Sequence, residues 1–597
     1  MTSPLPYRDA SRPIPDRVED LLARMTVAEK AGQMCHNMLL MGPGGTLAGA
    51  FPRFSLESTE DLVCRRQMTH FNLLGPIASA RDVATWHNRL QQLAQTTRLG
   101  IPITVATDPR NHVTQHVGVG VGAATPTEGG LSQWPQTLGL AALRSPELVG
   151  RFADVARQEY LALGLRSALH PQIDLATEPR WARIHATFGE DAGLTAALAA
   201  AYIRGFQGGD GPLGPQSVAT MTKHFPGGGP QQHGEDPHFA YGREQVYPGA
   251  HQDYHLRPFR AAIAAGTAQM MPYYGMPVGT DWEPVGFAFD RGVITDLLRE
   301  QLGFQGVVCT DWGLVTDAQI LGQPMPARAW GCEGLSELER VQKLLDAGCD
   351  QLGGESCTHH LIRLVDEGRI PETRLDASVR RILTQKFALG LFDRPFVDVD
   401  AAVALVGHPD FQREADAAQR AAYTLLTNRD ALLPLSATPR MVYLEGLDPG
   451  AVAARGLQVV ATPEEADLAL LRLQAPYEPR PGAFEALFHA GSLAFSEAEQ
   501  ARQARIYRTV PTVVDLFLDR PAVVPEIAEA AAALLVSYGS SDEAFLDVVF
   551  GRAAPRGQLP FDLPSSMQAV RESREDVPYD TKDPTFRFGH GLTYATA

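Results

Sequence analysis

Side chains suited to acid–base or nucleophilic chemistry recur at the ends of short apolar runs in the first two-thirds of the chain. Such a run ends at Asp108, at the pair Lys223 and His224, at Tyr273, and at Asp311. The carboxyl ends of parallel strands meet at one rim of an α/β barrel, where catalytic residues gather. These side chains are therefore expected to surround one site.

Signatures of other chemistries are missing. The sequence contains no phosphate-binding P-loop, no GxSxG or HExxH motif, and no GxGxxG run following a strand. The glycine-rich run 226–230 lacks the Lys-Ser/Thr ending of a nucleotide loop. The six cysteines form no CxxC pair, which disfavours zinc and indicates reduced, mostly buried thiols. We expect no metal and no cofactor.

Helices and short apolar strands alternate through the part of the chain that carries these side chains. Helical periodicity is seen over 16–34, 59–72, 147–163, 192–205, 256–265, 291–302 and 337–347. Alternation of this kind predicts parallel strands with helices outside. Residues 1–395 are therefore predicted to form one barrel-like domain.

A second α/β series follows. Residues 396–411 have the composition of a linker, and 412–427 have helical periodicity. Apolar runs at 441–444, 468–473, 512–518 and 532–537 then alternate with stretches that fit helices. Residues 412–597 are predicted to form an open, doubly wound sheet.

Composition restricts the partners. The chain has 597 residues, of which 44% are hydrophobic, and a net charge of −17. An acidic surface disfavours binding to nucleic acid and to anionic membranes. No apolar run is long enough to span a bilayer, and no signal-peptide pattern precedes the first helix, which predicts a cytoplasmic protein. No pattern specifies an oligomeric state.

Five motifs occur in a fixed order: EPRWAR with FGED (178–191), TKHFPGGG (222–229), VVCTDW (307–312), GQLP (557–560) and FRFGHGLTY (586–594). Their number and order resemble glycoside hydrolase family 3. The resemblance spans nearly the whole chain. It implies an α/β fold, a (β/α)₈ TIM-like barrel followed by an (α/β)₆ sandwich domain that contributes to the active site.

The resemblance also assigns residues. It makes Asp311 the nucleophile of a retaining glycosidase, in which a carboxylate attacks the anomeric carbon. It makes six residues substrate-binding: Asp108, Arg183, Lys223, His224, Tyr273 and Trp312. Tyr274 is the neighbouring alternative to Tyr273. Arg180 is expected to order its loop through Glu190 or Asp191.

The acid/base residue is less well marked. In the family it often comes from a poorly similar loop of the second domain, here 475–493, where Glu485 is the first choice and Glu478 the second. The family's N-acetylglucosaminidase branch instead uses an Asp-His dyad, which Asp236 and His238 match. The sequence departs from that branch in having Gly228 where the branch has histidine.

The resemblance implies an exo-acting, retaining β-D-glucosidase that removes terminal glucose from β-glucosides or short β-gluco-oligosaccharides. Two alternatives on the same scaffold are a β-N-acetylglucosaminidase and a β-xylosidase. A non-catalytic sugar-binding protein is a third alternative, which the presence of Asp311 disfavours.

Overall fold

The first domain is built on a closed barrel of eight parallel strands. The computed structural model describes residues 5–113, 130–436 and 439–594. The barrel strands are β1 (Cys35–Gly42), β2 (His70–Leu74), β3 (Thr104–Thr107), β4 (Leu165–Ala168), β5 (Ala219–Phe225), β6 (Gln269–Pro272), β7 (Val307–Val308) and β8 (Leu352–Gly353). Pairing of β1 with β8 and a parallel bridge between Cys309 and Gln351 close the ring.

Helices cover the outside of the barrel. They are Ile14–Leu22, Val27–Gln33, Ala80–Gln95, Thr137–Ala142, Pro146–Leu163, Ala192–Gln207, Gln252–Ala264, Glu337–Ala347, Thr358–Asp366 and Glu372–Ala388, with π-helical segments at Asp61–Arg65 and Gly292–Gln301. Local sequence fixes their ends. The side chain of Asp191, for example, accepts a hydrogen bond from Leu194 N and caps Ala192–Gln207, and Gly208 ends that helix in a left-handed conformation.

One predicted helix is wrong. Residues 59–72 contain only the short segment Asp61–Arg65 followed by the start of β2. Almost every residue of β2 is buried, so the strand lacks the polar–apolar alternation that would distinguish it from a helix. The periodic stretch 16–34 is divided into two helices at Thr26, which caps the second.

The second domain is a six-stranded sheet. Its strands are β9 (Thr424–Asn428), β10 (Met441–Glu445), β11 (Gln458–Val460), β12 (Leu468–Gln474), β13 (Thr512–Phe517) and β14 (Ala533–Ser537), in the order β9-β14-β13-β12-β10-β11. Only the β9–β14 pair is antiparallel. Its helices are Pro409–Ala422, Pro449–Ala453, Glu497–Thr509, Pro525–Ala530, Asp542–Val549 and Met567–Glu572. The predicted fold class, a barrel followed by an α/β sandwich, is confirmed.

The segment predicted as a linker, 396–411, contains the helix Val399–Leu405. This helix packs against the barrel helices Ala80–Gln95 and Pro146–Leu163. Within the described ranges of the chain, no helix has the length and apolar character required to cross a membrane.

Buried polar contacts join the two domains. The carboxylate of Glu190 accepts hydrogen bonds from Asp562 N at 2.6 Å and Tyr579 N at 2.8 Å. Asp576 accepts from Gly249 N at 2.7 Å and His251 N at 2.8 Å. Because the acceptors and donors lie on opposite domains, these bonds fix the second domain against the rim of the barrel.

Candidate active site

A cavity of about 300 Å³ lies at the carboxyl ends of the barrel strands. Its lining contains six of the predicted site residues: Asp108, Arg183, Lys223, His224, Asp311 and Trp312. The other lining residues are Met38, Phe54, Asn72, Leu74, Leu169, His238, Met271, Tyr274, Ile320, Leu321, Arg328, Phe484 and Leu487. Polar side chains therefore converge in a largely apolar cleft, as is typical of small-molecule sites.

Asp108 and Lys223 form one side of the cavity. Lys223 Nζ lies 3.2 Å from Asp108 Oδ1, and Asn72 Nδ2 donates to Asp108 Oδ2 at 3.2 Å. Burial alone would raise the pKa of Asp108, but the charges of Lys223 and Arg110 outweigh it and lower that pKa. Asp108 is thus held as a carboxylate that can accept hydrogen bonds from a ligand.

His224 is oriented from behind by a buried aspartate. Its Nδ1 lies 2.7 Å from Asp174 Oδ2, and Asp174 Oδ1 accepts from His224 N and Gly228 N. Burial, assisted by the charge of Arg183, lowers the pKa of His224 well below its usual value. Burial also raises the pKa of Asp174 to about 6. His224 is therefore neutral, and because Asp174 occupies its Nδ1, its Nε2 is the nitrogen that faces the cavity.

Asp311 combines an anchored oxygen with an unpaired one. Oδ1 accepts from Trp312 N at 2.8 Å, whereas buried Oδ2 has no hydrogen-bond partner among the described residues and lies 3.7 Å from His224 Nε2. Arg183 Nε is likewise buried without a partner. A carboxylate fixed in direction and free at one oxygen has the geometry that a nucleophile needs.

The structure brings Tyr274, and not Tyr273, to the cavity. The Tyr274 hydroxyl donates to Trp312 O at 2.8 Å and accepts from Trp312 N at 2.9 Å. The ring of Tyr273 is buried behind the wall, 4.6 Å from that of His224, with its hydroxyl 3.4 Å from Asp236 Oδ2. Consecutive residues at a strand end point in opposite directions, so only one of the two can reach the cavity.

A second carboxylate–imidazole pair reaches the cavity through His238. Its Nδ1 lies 2.6 Å from Asp236 Oδ1, and Trp181 Nε1 donates to the other oxygen at 3.1 Å. Burial lowers the pKa of His238, although the charge of Asp236 opposes that change. Because Asp236 occupies Nδ1, Nε2 is the nitrogen that can exchange a proton.

The glutamates predicted as acid/base are not among the cavity-lining residues. Glu485 is half-buried and accepts from the Tyr241 hydroxyl at 2.9 Å and from Gly482 N at 3.1 Å. Glu478 is exposed, with its carboxylate against Gly491. Their loop nevertheless enters the site, because it contributes the apolar residues Phe484 and Leu487.

Steric crowding explains why position 228 is a glycine. A Cβ at this position would lie 2.7 Å from the ring of Tyr273 and 3.2 Å from Asp174 Oδ1. A histidine, as in the N-acetylglucosaminidase branch, therefore does not fit here.

Arg180 was expected to bind Glu190 or Asp191, but it pairs with Glu178 at 2.8 Å, since Glu190 is already bound to the second domain.

Within the described parts of the chain, no cluster of three or more His, Cys, Asp or Glu side chains is arranged to hold a metal ion. The unpaired carboxylate of Asp311, the cations Arg183 and Lys223 in the same cavity, and the barrel–sandwich fold are together typical of a carbohydrate-cleaving enzyme. The N-terminal domain model of glycosyl hydrolase family 3 matches residues 27–385, and the C-terminal domain model matches 453–594. The chain belongs to glycosyl hydrolase family 3, as the motifs predicted.

Individual relatives agree with this assignment. Beta-glucosidase C of Emericella nidulans is 56% identical over 590 residues, which cover 98% of this chain and 94% of the relative. A periplasmic beta-glucosidase/beta-xylosidase of Dickeya chrysanthemi is 41% identical, over 99% of this chain and 91% of the relative. A solved structure of a β-glucosidase from Erythrobacter marinus has the same fold, with a TM-score of 0.78 at 23% identity, covering 100% of this chain and 85% of that one.

Proposed function

We propose that this protein is an exo-acting, retaining β-D-glucosidase that releases terminal glucose from β-glucosides. The observation that carries the proposal is the unpaired, buried Oδ2 of Asp311 in a cavity that Asp108, Lys223 and Arg183 also line. A volume of about 300 Å³ lies at the small end of ligand pockets, which favours one terminal sugar over an extended chain.

In the first step, Asp311 Oδ2 attacks the anomeric carbon while the bond to the leaving oxygen breaks. The leaving oxygen takes a proton from the acid/base group. Asp108 and Lys223 hold sugar hydroxyls, and Arg183 lines the same cavity beside them.

In the second step, water attacks the anomeric carbon of the glucosyl–Asp311 ester, the bond between that carbon and Asp311 Oδ2 breaks to release glucose, and the acid/base group takes the proton from that water. We propose His238 in this role, because it lines the cavity and Asp236 fixes its tautomer. Protonated His238 supplies the proton in the first step and recovers one in the second, so the cycle balances.

The names of the relatives favour glucose over other sugars, since Beta-glucosidase C is 56% identical to this chain. The Dickeya chrysanthemi relative is named for β-xylosidase as well, which makes β-xylosides the second candidate substrates. Xylose lacks the hydroxymethyl group, so discrimination depends on contacts to that group.

A panel of 4-nitrophenyl glycosides tests the proposal. We expect the β-D-glucoside to give the highest kcat/KM, the β-xyloside a lower value, and the N-acetyl-β-glucosaminide and α-glucoside none. Proton NMR of the first-formed sugar should show the β anomer. Absence of hydrolysis of every β-glycoside, or an initial α anomer, would reject the assignment.

A further inference from the structure

One cation in the cavity takes no part in the proposed reaction. Arg328 is 4% exposed and lines the cavity, yet no carboxylate of the described residues forms an ion pair with it. Among the described residues, the only hydrogen bond of its side chain runs from NH1 to Trp312 O at 3.1 Å, and its Nε has no partner. A buried guanidinium without a counter-charge is unfavourable, and such groups are typical of sites that bind an anion.

Aromatic rings hold this cation in place. The guanidinium carbon lies 5.4 Å from the ring centre of Tyr274 and 6.0 Å from that of Phe484, which belongs to the second domain. Contacts with ring faces orient a guanidinium without removing its charge. The side chain therefore stays available for a bidentate partner such as a carboxylate.

The surrounding wall is apolar. Phe54, Leu321, Phe484 and Leu487 are half-buried and line the same cavity, as does Trp312 beside Asp311. A second sugar ring would lay its C–H face on these side chains, but its hydroxyl groups would lose hydrogen bonds to water without gaining partners from the apolar wall. A planar apolar leaving group fits such a wall better.

We propose that the leaving-group half of the cavity binds a planar aromatic group that carries a carboxylate, and that Arg328 pairs with this carboxylate. The preferred substrates are then β-glucosides of hydroxy-aromatic acids. The proposal rests on the proposed β-glucosidase activity and specifies its substrate class.

The test compares two substrates that share the glucosyl and aromatic groups and differ at the carboxyl group: 4-carboxyphenyl β-D-glucoside carries a negative charge there, and its methyl ester does not. The ester has the better leaving group, so chemistry alone favours the ester. We expect the wild-type enzyme to favour the acid in kcat/KM by about tenfold or more, the size of one charge-assisted contact. Arg328→Gln should lower the acid-to-ester ratio by at least about tenfold, and Arg328→Lys should lower it less.

Leu321→Ala is the matched control, because it removes apolar wall without removing charge. It should lower kcat/KM for both substrates and keep their ratio within about threefold. Inhibition by free 4-hydroxybenzoate and by its methyl ester is a second measurement. Arg328→Gln should weaken inhibition by the acid and leave inhibition by the ester unchanged.

A wild-type ratio at or below one, or a ratio that survives Arg328→Gln, overturns the inference while leaving the β-glucosidase assignment intact. Failure to hydrolyse the ester, the acid and phenyl β-D-glucoside alike would instead reject the proposed function.

Discussion

The Nδ1 atom of His238 lies 2.6 Å from Oδ1 of Asp236, on a barrel loop that the second domain covers. The rings of Phe488 and His238 are 4.9 Å apart, and Arg480 of the same second-domain loop pairs with Glu235 at 2.7 Å. The second domain therefore orders the loop that carries this pair. On the proposed mechanism, the second domain contributes to catalysis by positioning this barrel loop.

The first prediction concerns Asp311. Asp311→Ala should lower kcat for an aryl β-glucoside by roughly 10³-fold or more, because the glycosyl–enzyme bond cannot form. Mass spectrometry after incubation with a 2-fluoro-glucoside should label the wild-type peptide that contains Asp311 and leave the variant unlabelled. Wild-type-like turnover by a folded variant would contradict the nucleophile assignment.

The second prediction separates the candidate acid/base residues. His238→Ala should lower kcat/KM for an unactivated aryl glucoside by about 10²–10⁴-fold. With a dinitrophenyl glucoside, which needs no acid, azide should restore turnover and yield β-glucosyl azide. Glu485→Gln and Glu478→Gln are the matched controls and should stay within about threefold of wild type. Near-wild-type activity in His238→Ala, with a large loss in one of the glutamate variants, would assign the acid/base role to that glutamate.

The third prediction is a pH dependence. A general acid must be protonated, and burial lowers the pKa of His238, so kcat/KM should fall on the alkaline side of a midpoint below about 6.5. Asp236 stabilises the imidazolium. Asp236→Asn should therefore move this limb to still lower pH and reduce kcat about 10²-fold or more. If the alkaline fall of kcat/KM keeps its midpoint in Asp236→Asn, Asp236 and His238 do not act together as the acid/base group.

The fourth prediction concerns stability. Burial raises the pKa of Glu190 to about 8, against the effect of the N–H group of Tyr579. The contribution of protonated Glu190 to the stability of the fold is fully present below its ordinary pKa of 4.5. It is lost progressively as the pH rises from there through about 8. Glu190→Gln should flatten the fall of Tm between pH 5 and 8. It should also cost about 1–3 kcal/mol at pH 5, because its amide nitrogen meets a backbone N–H.

Glu60→Gln, on the exposed surface, is the control for Glu190 and should keep the wild-type pH profile of Tm. An unchanged slope in Glu190→Gln would mean that Glu190 is ionised in the folded protein throughout this range.

The fifth prediction concerns the turn behind His224. Gly228→Ala places a methyl group 2.7 Å from the Tyr273 ring, so it should lower stability by about 1–3 kcal/mol and reduce kcat/KM. Gly211→Ala, where a Cβ meets nothing within 4 Å, is the control and should alter neither quantity. Wild-type values in both variants would show that the turn accepts a side chain.

The barrel was predictable where strands end in polar residues, as at Asp108 and Asp311, because position at the rim and residue type agree there. The start of the barrel was not. Strand β1 lies directly after a helix, and β2 is buried on nearly all sides, so neither shows the alternation that identifies a strand. Strands β7 and β8 have two residues each, too few for any periodicity, so β7 is recognisable only from the apolar run that ends at Asp311.

Motifs and strand ends identified Asp108, Lys223, His224 and Asp311, because these residues lie in strands or just after them. Loops supply the rest. Arg328 lies in a segment without periodicity, and nothing in its own sequence shows that it reaches the cavity, whereas the sequence names His238 only as a match to the N-acetylglucosaminidase branch. The sequence offers Tyr274 only as the alternative to Tyr273, since deciding which tyrosine faces inward requires the exact end of β6.

Among the described residues, all polar side chains that line the cavity come from the barrel, and the second domain adds Phe484 and Leu487. On the proposed mechanism, substitutions in the loop 475–493 would therefore change which leaving groups the protein accepts, while the residues proposed to break the bond stay the same. Exchanging this loop among related chains would test whether leaving-group preference follows the second domain.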